Sequence, residues 1–293
     1  MNKDISNLTI AEPDEHWDLI IKPTHRLFDL KLKEVWKYRD LLFLWVRREY
    51  VGAYKQTIMG PFWHFFSPIF STLTYMLIFG KIAKLSTDGV PMFLFFNGGI
   101  TIWNFFYGSF SSTSGTFLNN DGLFGKVYFP RLIMPLASLM SNCIKFGIQF
   151  SFFLAAYFYF IIAEGYAPGA GWGLLYIPVA MFLLAGIGFG FGMIVSSVTT
   201  KYRDITLLVG FGMQMLMYAT PVIYSYTSVS ADIKYWLAFN PLVAPVESFK
   251  YALFSIGDFS AGSLLYSFCW MLLLIMVGLV LFNKSEKNFL DTV

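Results

Sequence analysis

Three cations, Arg47, Arg48 and Lys55, share one short stretch with Trp45, Tyr50 and Tyr54, just ahead of a Gly60-Pro61 turn and a long apolar run. Cations beside aromatics that favour the headgroup level are suited to holding a lipid phosphate. The planar fork of Arg donates two parallel hydrogen bonds to such a group. The same residues would serve equally for general attraction to an anionic membrane surface, at about 1 kcal/mol per charge. A fourth cation, Lys145, lies inside an apolar segment, where it either snorkels to the boundary or marks a site. Other catalytic equipment is missing. The sequence has no GxxxxGK[ST] phosphate loop, no HExxH and no GxSxG, and His16, His25 and His64 are dispersed. Cys143 and Cys269 both fall in apolar segments, which supports neither a disulfide framework nor a metal site. Acids are scarce there too, so a proton or sodium relay has little to work with.

The elements that position these residues are membrane elements. Of 293 residues, 56% are hydrophobic, 20% aromatic and only 13% charged, against about 25% charged in a soluble domain. The first thirty residues are polar and contain no apolar core, so no cleavable signal peptide is expected. Residues 1–29 read as a cytosolic tail and 30–60 as an amphipathic interface helix region. The apolar run Leu41–Val46 is far short of the roughly 20 residues needed to cross a bilayer.

Residues 61–283 then read as a six-span transmembrane domain, with 284–293 as a charged cytosolic tail. The spans are Phe62–Gly80, Met92–Leu118, Leu132–Ala163, Trp172–Val198, Ile205–Tyr224 and Gly262–Phe282. Pro68 is predicted to kink the first. The hydroxyl-rich end of the second, SFSSTSGTF, is expected to face protein or water rather than lipid. In the fourth, the run AGIGFGFG (Ala185–Gly192) permits close helix packing. Residues 233–256, broken by Asn240-Pro241 and Pro245, read as a periplasmic re-entrant hairpin of two half-helices. Its Glu247 and Lys250 are three apart and able to pair. Six spans place both termini on one side, where sixteen Lys and Arg residues fall against four on the other. The positive-inside rule makes that side cytoplasmic.

Five stretches carry a resemblance over about residues 35–285: RREYVGAYKQTIMGPFW, KVYFPRLIMPLASL, KYRDI, ATPVIYS and FNPLVAPVESFKYALF. In this order they resemble the membrane subunits of ATP-binding-cassette exporters of cell-surface polysaccharides, in the ABC-2 superfamily. These export O-antigen, capsule and teichoic acid chains. The resemblance implies a homodimer with a central channel in the bacterial inner membrane, served by two copies of a separate ATPase subunit. ATP and Mg would be bound by that partner, with no cofactor in this chain. The implied substrate is a polyprenyl-pyrophosphate-linked glycan, O-antigen foremost, and nothing points to nucleic acid.

On that reading Arg47, Arg48 and Lys55 lie where the pyrophosphate arrives. A coupling helix at about 120–131 would dock into the ATPase through Leu123, Phe124, Val127 and Tyr128, with Lys126 and Arg131 as a polar rim. An ordinary loop lying on the membrane would have the same composition. Trp63, Phe66 and Phe70, then Trp103, Phe106 and Phe110, recur at three- and four-residue spacing and form stripes. Aromatic faces let pyranose rings slide, so these residues, with Tyr218 and Tyr224, are channel-lining candidates. Lipid contact or helix packing would use the same stripes. Asn240, Pro241, Glu247 and Lys250 would form a periplasmic gate. The alternative is an ABC-2 exporter of a different lipid or small molecule. A membrane glycosyl- or acyltransferase would need an embedded acid or histidine near the lipid phosphate, and an ion channel a filter or charged ring.

Overall fold

A computed structural model describes residues 32–55, 57, 58, 60–120, 122, 129–167 and 172–290. Among these residues the fold is all helical. Two N-terminal helices, α1 (Leu32–Lys37) and α2 (Arg39–Tyr54), precede α3 (Trp63–Tyr75), which continues as a π-helical turn over Met76–Ile82. Next come α4 (Met92–Ser114), the short α5 (Thr116–Asn119), α6 (Ile133–Glu164) and α7 (Tyr176–Thr199). The chain then forms α8 (Ile205–Tyr218), the broken pair α9 (Ala231–Leu237) and α10 (Val243–Phe254), and α11 (Ala261–Leu290).

Four segments are long and apolar enough to cross a membrane: Trp63–Ile82, Ile133–Glu164, Gly173–Thr199 and Ala261–Ser285. Their mean hydropathies are 1.3, 1.8, 2.1 and 2.5, and they coincide with four of the expected spans to within a few residues. Pro68 stands inside α3, and the helix continues through it. The expected second span forms the 23-residue α4, buried along most of its length. The expected fifth span is cut short. Its helix stops at Tyr218 after 14 residues, about 21 Å at 1.5 Å per residue. Pro221 explains the stop, because it lacks an N–H and disfavours helical geometry at the residue before it. Tyr224 therefore lies outside the helix to which its sequence position assigned it.

At the centre stands α7, and its glycines decide what surrounds it. A Cβ on Gly190 would lie 2.7 Å from the backbone nitrogen of Ile275 in α11, and one on Gly278 would lie 2.7 Å from the Gly190 carbonyl. On another face, a Cβ on Gly188 would lie 2.9 Å from the carbonyl of Phe106, and one on Gly192 2.8 Å from that of Phe110. Only hydrogen fits at these points. Small residues matter here because hydrocarbon supplies no hydrophobic force between helices, so packing must come from close backbone approach.

The α7 contact also fixes the rotation of α4. Phe106, Ser109, Phe110 and Thr113 are buried, and Trp103 and Phe105 lie in the same core. What remains turned outward on the C-terminal half of α4 is Asn104, Tyr107, Ser111 and Ser114. Of the hydroxyl-rich half, Ser109, Thr113 and Thr116 are buried against protein.

A second core lies beneath α2, where Leu42, Trp45 and Val46 pack with Phe117, Ile133, Met134, Met193 and Phe282. Trp45 is 9% exposed, so it packs inward against the bundle rather than standing free beside its aromatic neighbours. The apolar run Leu41–Val46 needs a cover, and the bundle provides one. The hydroxyl of Ser138 donates to Glu49 Oε1 at 2.5 Å, fastening α2 to α6.

The glycine contacts generate a direct test. Gly190→Ala should lower stability by about 1–3 kcal/mol, because the clash is with backbone that cannot rotate away. Gly210→Ala in α8, where a Cβ meets nothing within 4 Å, should be neutral or stabilising by up to about 1 kcal/mol. Thermal unfolding of the detergent-purified chain separates the two; equal losses would contradict the packing account.

Candidate functional site

Asn104 and Tyr107, on the outward stripe of α4, border two cavities. One, of about 250 Å³, lies between α3, α4 and α6 and reaches His64, Lys145 and Gln149. The other, of about 360 Å³, lies between α3, α4 and α8 and reaches Ser71, Tyr75 and Gln214. Both walls offer amides and hydroxyls within an otherwise apolar bundle. Such a surface holds water or a hydroxylated ligand, since unpaired polar groups facing hydrocarbon are costly.

The aromatic candidates divide. Trp63, Phe66 and Phe70 lie along the exposed side of α3, and Tyr218 is exposed at the end of α8. Trp103, Phe106 and Phe110 are 7%, 1% and 3% exposed; Trp103 borders the cavity between α3, α4 and α8, while Phe106 and Phe110 pack inward. Phe110 stacks on Phe191 of α7 with centroids 5.1 Å apart. Helical spacing reveals a stripe but not its direction, and the α7 glycines draw this one inward. Tyr224 is half-buried in the segment after α8.

That segment, 219–227, is irregular, and side chains from three other elements satisfy it. The Asn240 amide donates to the Ala219 carbonyl and to Thr220 Oγ1, each at 2.9 Å. Lys250 Nζ donates to the carbonyls of Pro221 and Tyr224, the latter at 2.9 Å. It also lies 3.4 Å from Glu247 Oε1 and 4.7 Å from the centre of the Phe95 ring. A Cβ on Gly99 would overlap the Val222 carbonyl, so α4 presses directly on the segment. From the loop before α4, Asp88 accepts hydrogen bonds from Ser225 and, at 2.9 Å, from Thr227. Burial pushes the Asp88 pKa up, but hydrogen bonds from Ser225, Thr227 and Ser86 outweigh it and hold the carboxyl below its usual range. Irregular backbone at membrane depth survives only where its polar groups are met in this way.

Residues 40–254, from α2 through α10, match the ABC-2 type transporter membrane family. The chain belongs to the ABC-2 type transporter family. It is also similar to two proteins named "O-antigen export system permease protein RfbA". The one from Klebsiella pneumoniae is 25% identical over 252 residues, covering 86% of this chain and 94% of the relative. The one from Myxococcus xanthus is 22% identical over 264 residues, covering 89% and 98%.

As an ABC-2 membrane subunit, the chain places its other candidates as follows. Arg47, Arg48 and Lys55 are exposed on α2 and at its end, with the Arg48 guanidinium 4.3 Å from the centre of the Trp45 ring. Leu123, Phe124, Lys126, Val127 and Tyr128 lie outside the described residues. Arg131 is 5% exposed, while its expected partner in the polar rim, Lys126, lies outside the described residues. Arg131 sits between Phe129 and Ile133, both members of the core beneath α2, and the chain is drawn inward with them.

The segment expected as a hairpin forms the broken pair α9 and α10. Its break falls at Asn240-Pro241 as expected, but Pro245 stands inside α10 near its start, a position that proline tolerates. Residues 243–250 of α10 are all buried, so this half-helix packs within the bundle. Glu247 and Lys250 pair as their spacing suggested, but inside the protein. Sequence reasoning missed Asp88, which reads as an ordinary polar turn in Thr87-Asp88-Gly89.

Two outcomes follow from the clamp. Lys250→Met leaves Glu247 buried without its cation and should lower stability by about 3–5 kcal/mol, while Glu247→Gln/Lys250→Met recovers much of the loss. Equal unfolding temperatures for the single and double variants would contradict the buried pair. Because the Asp88 pKa is depressed, its contribution is fully present at neutral pH and is lost as pH falls below its ordinary value of 3.8. In unfolding scans across that window, Asp88→Asn should be less stable at neutral pH and show a shallower acid loss than the native chain.

Proposed function

We propose that this chain is the channel-forming membrane subunit of an ATP-driven exporter for a polyprenyl-pyrophosphate-linked polysaccharide, O-antigen foremost, across the cytoplasmic membrane. The observation that carries the reading is the outward amide and hydroxyl stripe on α4, Asn104, Tyr107, Ser111 and Ser114, inside an otherwise apolar bundle. A polyhydroxylated chain needs a surface that offers many weak hydrogen bonds and no deep trap. The similarity to proteins named as O-antigen export permeases supports the same cargo.

In this reading six membrane-embedded elements, with α9 and α10 as a re-entrant hairpin, place both termini in the cytoplasm. Two copies of the chain enclose the path between their outward faces, where Trp63, Phe66, Phe70 and Tyr218 supply sliding aromatic surfaces. Two partner ATPase subunits bind ATP and Mg, and the segment at about 120–131 transmits their closure. Arg47, Arg48 and Lys55 attract the lipid pyrophosphate to the inner leaflet side. The clamp of Asn240, Lys250 and Asp88 on residues 219–227 closes the outer end.

The test is ATP hydrolysis in nanodiscs by the chain with its ATPase, with and without lipid-linked glycan. Hydrolysis should require both subunits and rise several-fold with the glycan lipid. A complex that assembles and hydrolyses ATP at the same rate with and without it would overturn the assigned cargo.

A further inference from the structure

Lys145 lies twelve residues into α6, a 32-residue helix with no other basic side chain. That places it roughly 18 Å along the axis from the nearer end of α6. Among the described residues its ammonium has no hydrogen bond and no ion pair. The cavity around it is polar and basic. His64 faces it with a buried Nε2 that has no partner. The amide of Asn104 and the hydroxyls of Tyr107 and Ser67 also line it without side-chain hydrogen bonds among the described residues, and none of the lining residues is acidic. An unpaired ammonium at membrane depth is costly unless something neutralises it. The hydroxyls, amides and imidazole around this one can each donate a hydrogen bond to an anion.

We infer that this cavity between α3, α4 and α6 is a binding site for the diphosphate headgroup of an isoprenoid lipid, with Lys145 as its central cation. The inference rests on the proposed function and adds to it a location for the headgroup. A volume of about 250 Å³ suits a compact anion rather than a folded sugar chain. Met140 and Ile144 are exposed on the same helix, so an isoprenoid tail can stay on the apolar surface beside the headgroup. The cavity also connects to the basic stretch of α2. The Tyr54 ring meets the His64 ring edge-on at 5.3 Å, and Lys55 follows directly. A headgroup gathered by Arg47, Arg48 and Lys55 thus meets Lys145 as its next cation, while the glycan it carries faces Tyr107 and Ser111 along α4.

The experiment is binding of fluorescent polyprenyl diphosphate to the complete transporter in phosphatidylcholine nanodiscs. Polyprenyl alcohol, phosphatidylglycerol and inorganic diphosphate serve as competitors. Binding should be saturable, and Lys145→Gln should weaken it about tenfold or more, the scale of a lost charge-assisted hydrogen bond. None of the three competitors should match the lipid diphosphate. Equal affinity in Lys145→Gln would overturn the site and leave the proposed function standing, whereas no binding by the native transporter would overturn both. Competition by the alcohol would show a tail site only, by phosphatidylglycerol a general anionic-lipid surface, and by inorganic diphosphate a soluble-anion site; each overturns the assignment. Unfolding temperatures report whether the variant folds. Should Lys145→Gln fail to fold, Asn104→Ala and His64→Gln carry the same expectation at about threefold.

Discussion

Two bare backbones in contact, Gly188 and Gly192 of α7 against Phe106 and Phe110 of α4, set the arrangement on which the rest of this subunit depends. In hydrocarbon, helices are held by dispersion at close approach rather than by exclusion of water, so the points of closest contact also fix helix rotation. With α4 locked by these glycines, its aromatic side turns inward and its amide and hydroxyl side turns out. Both polar cavities, and the stripe between them, follow from that one rotation.

The irregular segment 219–227 obeys a related constraint. Once Pro221 ends α8, the freed carbonyls and amides need partners. A lysine, an asparagine and an aspartate from three separate elements meet those groups. The clamp joins α10, the loop before α4 and the end of α8 into one unit, so displacing one requires the others to move with it.

Much of this was legible in the sequence. The four most apolar spans, the packing role of Ala185–Gly192 and the break at Asn240-Pro241 follow from composition, small-residue runs and proline chemistry. The family was legible from five stretches in order, and the match over residues 40–254 agrees. What could not be read was direction. Trp103, Phe106 and Phe110 form a helical stripe, but only the neighbouring glycines show which way it faces. Spacing paired Glu247 with Lys250 and gave no sign of their burial. Trp45 and Arg131 look interfacial by type, yet each sits among apolar neighbours that the core beneath α2 draws in. Asp88 was hidden for another reason: its partners Ser225 and Thr227 are more than a hundred residues away.

The central claim is that the outward stripe of α4 faces the translocating chain. Photo-crosslinking during ATP-driven export tests it most directly, with a photoreactive side chain at position 107 or 111 and, as the buried reference, at 106 or 110. Radiolabelled glycan should attach at 107 and 111 only while ATP is being hydrolysed, and not at 106 or 110. Labelling at the buried positions, or none at the outward pair during active export, would contradict the account.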